Sequence, residues 1–313
     1  MAFSIPKMTY TGAIKEVTLG TGASAVTVGG ETCYPFYTFE GTMPHPPKIA
    51  FEVWDAAPED WPDWAVEPYR DVIADPVAWA KKAITDYKAE MIALLLKSAD
   101  PNGMNRAVDD VVKTVKAVSD AVAVPLIVWG CANDEKDALM LRQVAEQCDG
   151  KNLALGPVTD KNYKQIGAVA IGYNHVVIAS TPIDVNLAKQ LNILLGNLGV
   201  PENRILIDPT TGGLGYGLEY SYSVMERDRM AALTQEDVKL QTPIICNLGN
   251  EVWKTKEAKT KREDNPKLGD PKTRAVLMES VAAMTLGMAG ADILIMRHPE
   301  AISATRRMFQ ELV

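Results

Sequence analysis

The chain reads as an α/β protein, a TIM (β/α)8 barrel with an N-terminal β-hairpin extension. Eight short apolar runs, each followed by a helical pattern, fill about 265 residues, which is the number, spacing and order of such a barrel. The turn after the first run carries no nucleotide-binding glycine fingerprint, which weighs against the runner-up, a doubly wound open sheet. Before the first run the apolar and polar residues alternate, the signature of a hairpin.

Taken in order, Ile14, Val17 and Leu19 lead through Thr21-Gly22-Ala23-Ser24 to Val26 and Val28, giving two strands and a turn. Pro44-His45-Pro46-Pro47 then separates an extension, 1–48, from a barrel, 49–313. The hairpin is expected to cover the barrel's amino-terminal opening. Strand-like runs follow at Ile49–Trp54, Met91–Leu96, Leu126–Trp129, Leu153–Leu155, Val176–Ala179, Ile205–Ile207, Ile244–Cys246 and Ile293–Met296. Helical patterns cover Val77–Tyr87, Arg106–Val122, Lys136–Cys148, Thr273–Met288 and Pro299–Leu312. The clearest follows Ala179, with Thr181 as N-cap, Pro182 as first helical residue and Asp184 complementing the dipole. Leu187, Leu191, Leu194 and Leu198 supply its apolar stripe.

Composition narrows the function. With 47% hydrophobic and 23% charged residues the chain is an ordinary globular one, and no apolar stretch has the roughly 18 to 20 residues that span a bilayer. Lys7, Thr9, Tyr10 and Thr11 interrupt any signal-peptide core, so a cytoplasmic location is expected. A net charge of -8 argues against a nucleic-acid partner. The four cysteines, Cys33, Cys131, Cys148 and Cys246, form no CxxC pair, and His45, His175 and His298 are scattered, so neither a cluster nor a metal site is expected.

The active face of a barrel is built from the loops after its strands. Here those loops hold Asp55, Ser98 to Asn102, Gly130 to Asp134, Thr159, Ser180, Thr181, Asp208, Asn247 to Glu251, Arg297 and His298. This set hydrogen-bonds amides and hydroxyls, and no nucleophile–base–orienter triad stands out. Helix caps and Asx-turns explain Asp55, Asp100, Asp134 and Asp208 equally simply. Arg297-His298-Pro299 reads either as an anion site or as the cap of the last helix. The charged stretch Lys254 to Arg274 reads as a solvated loop or as a partner contact. Most informative is Thr210-Thr211-Gly212-Gly213-Leu214-Gly215-Tyr216-Gly217, where four glycines sit at a strand-to-helix crossing and let a ligand or a partner's backbone come close. It lacks the lysine and spacing of a phosphate loop, and a plain tight turn is the competing reading.

The whole run Asp208 to Arg227 resembles the small subunit of the corrinoid/iron–sulfur protein, whose archaeal counterpart is the delta subunit of acetyl-CoA decarbonylase/synthase. Phe51-Glu52-Val53-Trp54-Asp55, Lys97 to Asn102, Lys189 to Leu194 and Met296 to Ala301 extend the likeness over nearly the whole chain. The resemblance implies a TIM barrel paired with a large subunit that carries a [4Fe–4S] cluster and a corrinoid-binding domain, with cobalamin between the two. It further implies a non-catalytic role in the reductive acetyl-CoA pathway: methyl passes from methyltetrahydrofolate, through a methyltransferase, to cobalt and then to acetyl-CoA synthase. Corrin contacts are then expected from Asp100, Asn102, Thr210, Thr211, Gly212, Gly213, Leu214, Gly215, Tyr216, Asn247 and Asn250, none of them ligating the metal. The alternative is a stand-alone pterin-binding methyltransferase barrel, using Asp55, Asp100, Asn133, Asp208 and Asn247 on the pterin ring.

Overall fold

The computed structural model describes residues 5–312, so residues 1–4 and 313 of the two segments read from the sequence lie outside the described residues. Eight parallel strands close into a barrel: β1 (Lys48–Trp54), β2 (Met91–Leu95), β3 (Leu126–Trp129), β4 (Ala154–Val158), β5 (Val176–Ser180), β6 (Ile205–Asp208), β7 (Ile244–Cys246) and β8 (Ala291–Met296). Eight helices alternate with them: α1 (Pro76–Thr85), α2 (Val108–Ala121), α3 (Asp134–Gln147), α4 (Tyr163–Gly172), α5 (Val185–Leu198), α6 (Leu218–Thr234), α7 (Pro271–Ala289) and α8 (Pro299–Leu312). The barrel closes where β8 pairs with β1, Met296 opposite Phe51.

Alternate strand residues point inward and fill the barrel with aliphatic side chains, among them Met91, Leu95, Ile127, Ile178, Leu206, Ile245 and Ile295. The opposite set, including Phe51, Ile92, Leu94 and Val128, packs beneath the helices.

The antiparallel hairpin Val17–Leu19 and Val26–Val28 joins the inner cluster, for Val17, Leu19 and Val28 are buried in it. Asn152, just before β4, donates to the carbonyls of Thr18 (2.8 Å) and Gly20 (2.9 Å), and Lys15 N donates to Gln241 O just before β7. The hairpin therefore plugs the amino-terminal end, as expected.

One helix boundary departs from the sequence reading and one helix was absent from it. Asp184, not Thr181, caps α5, accepting from the amides of Asn186 (2.7 Å) and Leu187 (3.0 Å), so the helix starts at Val185. Thr181 stands three residues before that cap, still in line with the strand, where its amide bonds Asp208 O. Helix α4 was not legible: ten residues with only Ile166, Gly167 and Ala170 buried give no long stripe.

Below the barrel, Arg229 of α6 is ion-paired with Asp292 of β8 and donates to Gly290 O at 2.7 Å. Gly290 has φ 114°, and a Cβ there would lie 2.6 Å from Arg229 Nε, so both conformation and packing require glycine. Glu31 is buried beside this pair, and burial, followed by the charge of Asp292, raises its pKa to about 9. The fold thus holds a proton that the unfolded chain, with a carboxyl near 4.5, releases. Stability should fall as pH rises from about 5 to 9, by up to about 1.4 kcal/mol per pH unit for one proton. Urea midpoints at pH 5.5 and 8.5 measure this, and Glu31→Gln should reduce the slope; an unchanged slope in that variant would refute the assignment.

Candidate functional site

The inward alternation continues past the aliphatic layers into a polar rim at the carboxyl-terminal mouth. Following Ala50, β1 contributes Glu52 and Trp54, and Ser180, Asp208, Asn247 and Arg297 follow the inward residues of β5 to β8. Trp129 of β3 and Trp54 pack on the inner cluster from this side.

The rim is organised by an ion pair that the barrel closure creates. Arg297, just beyond β8, donates to Glu52 of β1 through Nη2 (2.7 Å) and Nε (3.3 Å), and both side chains are buried. Trp54 Nε1 also donates to Glu52. The guanidinium lies 3.8 Å from the Trp61 ring centroid and 5.3 Å from that of Trp54. Behind it, fully buried Glu279 of α7 accepts from the amides of Arg297 (2.5 Å) and His298 (3.1 Å) and from Trp253 Nε1 (2.9 Å). Burial raises the Glu279 pKa to about 7. Gly249 closes this packing, since a Cβ there would sit 2.8 Å from Glu52 Oε2 and 3.0 Å from Arg297 N.

These contacts decide between the two readings of Arg297-His298-Pro299. Arg297 is neutralised by Glu52 and encased in indoles, so it is no anion site, while His298 Nδ1 accepts from Glu300 N at the start of α8. Burial lowers the His298 pKa to about 4. His298 stacks on Trp253, whereas the Cys131 thiol bonds Asp137 at 3.3 Å and is raised to about 12 by burial; the two form no pair. Among the described residues no three His, Cys, Asp or Glu side chains converge as a metal site.

The glycine-rich segment has a fixed root and an open tip. Asp208 accepts from Ser180 Oγ (2.6 Å) and Thr210 N (3.0 Å), and burial raises its pKa to about 6. Thr210 donates to Thr181 O (2.6 Å) and accepts from Ser221 Oγ (3.4 Å), while Thr211 donates to Asn247 O (3.0 Å). Four neighbouring elements therefore peg two threonines. They hold Thr210 at φ 59°, a left-handed conformation that costs a β-branched residue on the order of 1–3 kcal/mol. Gly212 to Gly215 then make a single 3-10 turn, and Tyr216 beyond them is 92% exposed. Neither Gly212 nor Gly215 has a positive φ; a Cβ would meet only Thr210 Cγ2 at 3.5 Å from Gly212 and nothing from Gly215. Nothing inside this chain demands glycine at those two positions.

Of the residues singled out from sequence, Thr210, Thr211 and Leu214 lie with Asn247 and Asn250 on the β6–β7 side, Asn250 donating to Glu251 at 2.8 Å. Asp100 and Asn102 stand after β2, four strands away, joined by an Asx-turn of 2.8 Å. The two groups make no direct contact. Asp55 accepts from Ser98 N (2.9 Å) and its hydroxyl, and Asp134 takes Thr159 (2.7 Å) and Lys161 (3.2 Å), all as local anchors. Asn133, not Asp134, caps α3. Sequence reading missed Glu52, Trp54, Lys97 and Trp129; an acid within the apolar run Ile49–Trp54 was the available signal, because a buried charge requires a partner. The Lys254–Arg274 stretch is not a bare solvated loop: Arg274 donates to Glu257 O (2.6 Å) and Leu268 O (3.1 Å), and Trp64 Nε1 to Ala258 O (3.1 Å).

Comparison with known proteins bears on this geometry. Residues 16–308 match the family described as CO dehydrogenase/acetyl-CoA synthase delta subunit. The chain belongs to that family. The acetyl-CoA decarbonylase/synthase complex subunit delta of Archaeoglobus fulgidus is 36% identical, over 98% of this chain and 70% of the relative. That of Methanothermobacter thermautotrophicus is 34% identical, over 98% and 77%. This delta-family chain is thus related to subunits of a multi-subunit complex of the acetyl-CoA pathway. Among solved structures, Xanthomonas albilineans dihydropteroate synthase aligns with TM-score 0.58 at 14% identity, over 95% of this chain and 98% of that one. A Coxiella burnetii dihydropteroate synthase in complex with pteroic acid gives 0.56 at 11%, over 96% and 98%. At such identities the likeness is one of fold.

The buried pair makes a direct prediction. Arg297→Met leaves Glu52 buried without its counter-charge, and should cost about 3–5 kcal/mol in chemical denaturation. Adding Glu52→Leu should recover most of that loss; a double variant as unstable as the single would show that the pairing is not what the rim requires.

Proposed function

We propose that this chain is a non-catalytic subunit whose barrel mouth docks the corrinoid of a methyl-carrying heterodimer. The observation that carries the reading is Asn247 Oδ1, which is buried beside the glycine-rich root and has no hydrogen-bond partner. A buried acceptor left empty costs on the order of 1–3 kcal/mol, and a corrin rim, edged with carboxamide N–H groups, supplies the donor it lacks. Gly212 and Gly215, free of any internal requirement, leave room for a macrocycle edge to approach the backbone. Thr211, Tyr216, Asn250, Asp100 and Asn102 would complete the contact around the mouth. When bound, the corrinoid's cobalt supplies the methyl-accepting and methyl-donating chemistry. The residues of this chain orient the ring and exclude water, with His298 held beneath Trp253 rather than presented as a ligand.

A partner surface adjoins the mouth. Helix α7 carries two apolar stripes: Ala275, Ala282, Ala283 and Leu286 face the barrel, while Leu277 (56% exposed), Val281 (59%), Met284 and Met288 form an outer seam at i, i+4, i+7 and i+11. A contiguous apolar seam left exposed on a helix already packed by its other stripe marks a protein contact. A cavity of about 680 Å³, lined by Leu214, Leu218, Val252, Leu268, Leu277 and Val281, runs from the glycine-rich loop to the seam. One large subunit carrying the corrinoid domain and a [4Fe–4S] cluster would cover both, leaving the mouth to face a methyltransferase and acetyl-CoA synthase in turn.

The second reading, a pterin-binding methyltransferase, is favoured by the fold shared with dihydropteroate synthases, one of them solved with pteroic acid. Calorimetric titration of the isolated chain with methyltetrahydrofolate separates the two: no binding at micromolar concentration is expected, and micromolar affinity would favour the enzyme.

Two variants test the docking itself. Gly215→Val should leave the circular dichroism spectrum unchanged while at least halving the corrin absorbance that the co-expressed heterodimer keeps after desalting; full retention would reduce the glycines to a turn. Leu277→Asp with Val281→Asp should weaken a one-to-one heterodimer on gel filtration at least tenfold, about 1.4 kcal/mol. An undiminished heterodimer would move the interface elsewhere.

A further inference from the structure

Beyond the neutralised Glu52–Arg297 pair, the mouth carries a cation and an anion on different strands that form no ion pair among the described residues. Lys97 follows β2 in a short 3-10 turn, and its ammonium lies 5.3 Å over the Trp54 ring. Among the described residues no carboxylate lies within ion-pair distance of it. Glu52 is engaged by Arg297 and Trp54, and Glu251 by Lys254 (2.8 Å) and Asn250. Burial lowers the Lys97 pKa, consistent with an ammonium drawn into the rim. Among the described residues Asp208, at the end of β6, is held only by the Ser180 hydroxyl and the Thr210 amide. Strands β2 and β6 stand four places apart in a closed ring of eight, so the two residues stand on opposite walls of the opening.

We infer that Lys97 and Asp208 set, with opposite signs, the reduction potential of the cobalt docked over this mouth. The inference rests on the corrinoid reading above. Adding one electron to Co(II), from a low-potential donor, lowers the charge of the centre by one. A cation at the rim therefore stabilises the Co(I) state and an anion the Co(II) state. Water exclusion makes both act over several ångströms, because a fixed charge weakens only in proportion to distance and dielectric. Neither residue is a metal ligand; each tunes the centre through space. Trp54 keeps Lys97 at its post, for its ring face attracts the ammonium while its N–H is spent on Glu52.

The test uses the co-expressed heterodimer loaded with cobalamin, its occupancy read from corrin absorbance before redox titration. Lys97→Met should lower the Co(I):Co(II) ratio at a fixed potential about tenfold, equivalent to about 59 mV for one electron. Asp208→Asn should raise that ratio, and Lys97→Arg, keeping the charge, should stay within about twofold of the parent. Equal midpoints in parent, Lys97→Met and Asp208→Asn at equal loading would overturn the inference, as would shifts of the same sign. A Lys97→Met heterodimer that cannot be loaded would make Lys97 a binding group and overturn it too. A parent heterodimer that takes up no corrinoid would instead overturn the docking reading, and this inference with it.

Discussion

Glu52 and Arg297 meet across 245 positions of sequence, at the one seam where the first barrel strand must find the last. Their pairing is the constraint on which the rim depends. Neither charge is tolerable alone in a buried site, so the pair is present only if the barrel has closed in the right register. Around it the neighbours are fixed in turn. Trp54 and Trp61 wall the guanidinium, Glu279 holds the backbone that carries it, and Gly249 gives the room for all of these to converge. A charge pair in this setting does more for uniqueness than for net stability, because a volume-matched apolar pair can be as stable without specifying a register.

From that fixed side the mouth grades into an open one. Thr210 and Thr211 are pegged to β5, β7 and α6, and the backbone strain at Thr210 is sustained by those pegs. Immediately beyond, Gly212 and Gly215 meet almost nothing. A rigid base with an unencumbered tip is the economical way to place backbone against a large ligand, since the position of the contact is set before the ligand arrives. The outer seam of α7 and the groove leading to it make the same point at larger scale: the apolar surface is assembled by the fold and left for another chain to cover.

Much of this was legible in the sequence. The eight strands fall where the apolar runs lie, because a strand buried on both faces must be continuously apolar, and the hairpin's alternation of Val17, Leu19, Val26 and Val28 announced one buried face. The glycine-rich run and Asn247 marked the mouth by residue type alone. What stayed hidden depended on three-dimensional partners. Arg297 looked equally like an anion site and a cap because its counter-ion lies at the other end of the chain. Lys97 and Trp54 were unremarkable until the barrel's alternation turned them inward. Asp184 displaced Thr181 as the cap of α5 because the strand runs on through Thr181 and the helix starts only at Val185, an extension that spacing does not reveal. Asp100 and Asn102, grouped with the glycine loop by composition, stand on the opposite wall.

The plug at the barrel's base has a consequence for traffic. With Val17, Leu19 and Val28 filling the amino-terminal end, the barrel is a vessel with a single opening. Whatever sits in that opening can be reached from one direction only. On the proposed reading, the protein that delivers a methyl group and the protein that collects it must queue for the same doorway. Turnover would then be limited by how soon each visitor departs, and weak, short-lived encounters would serve such a subunit better than tight ones.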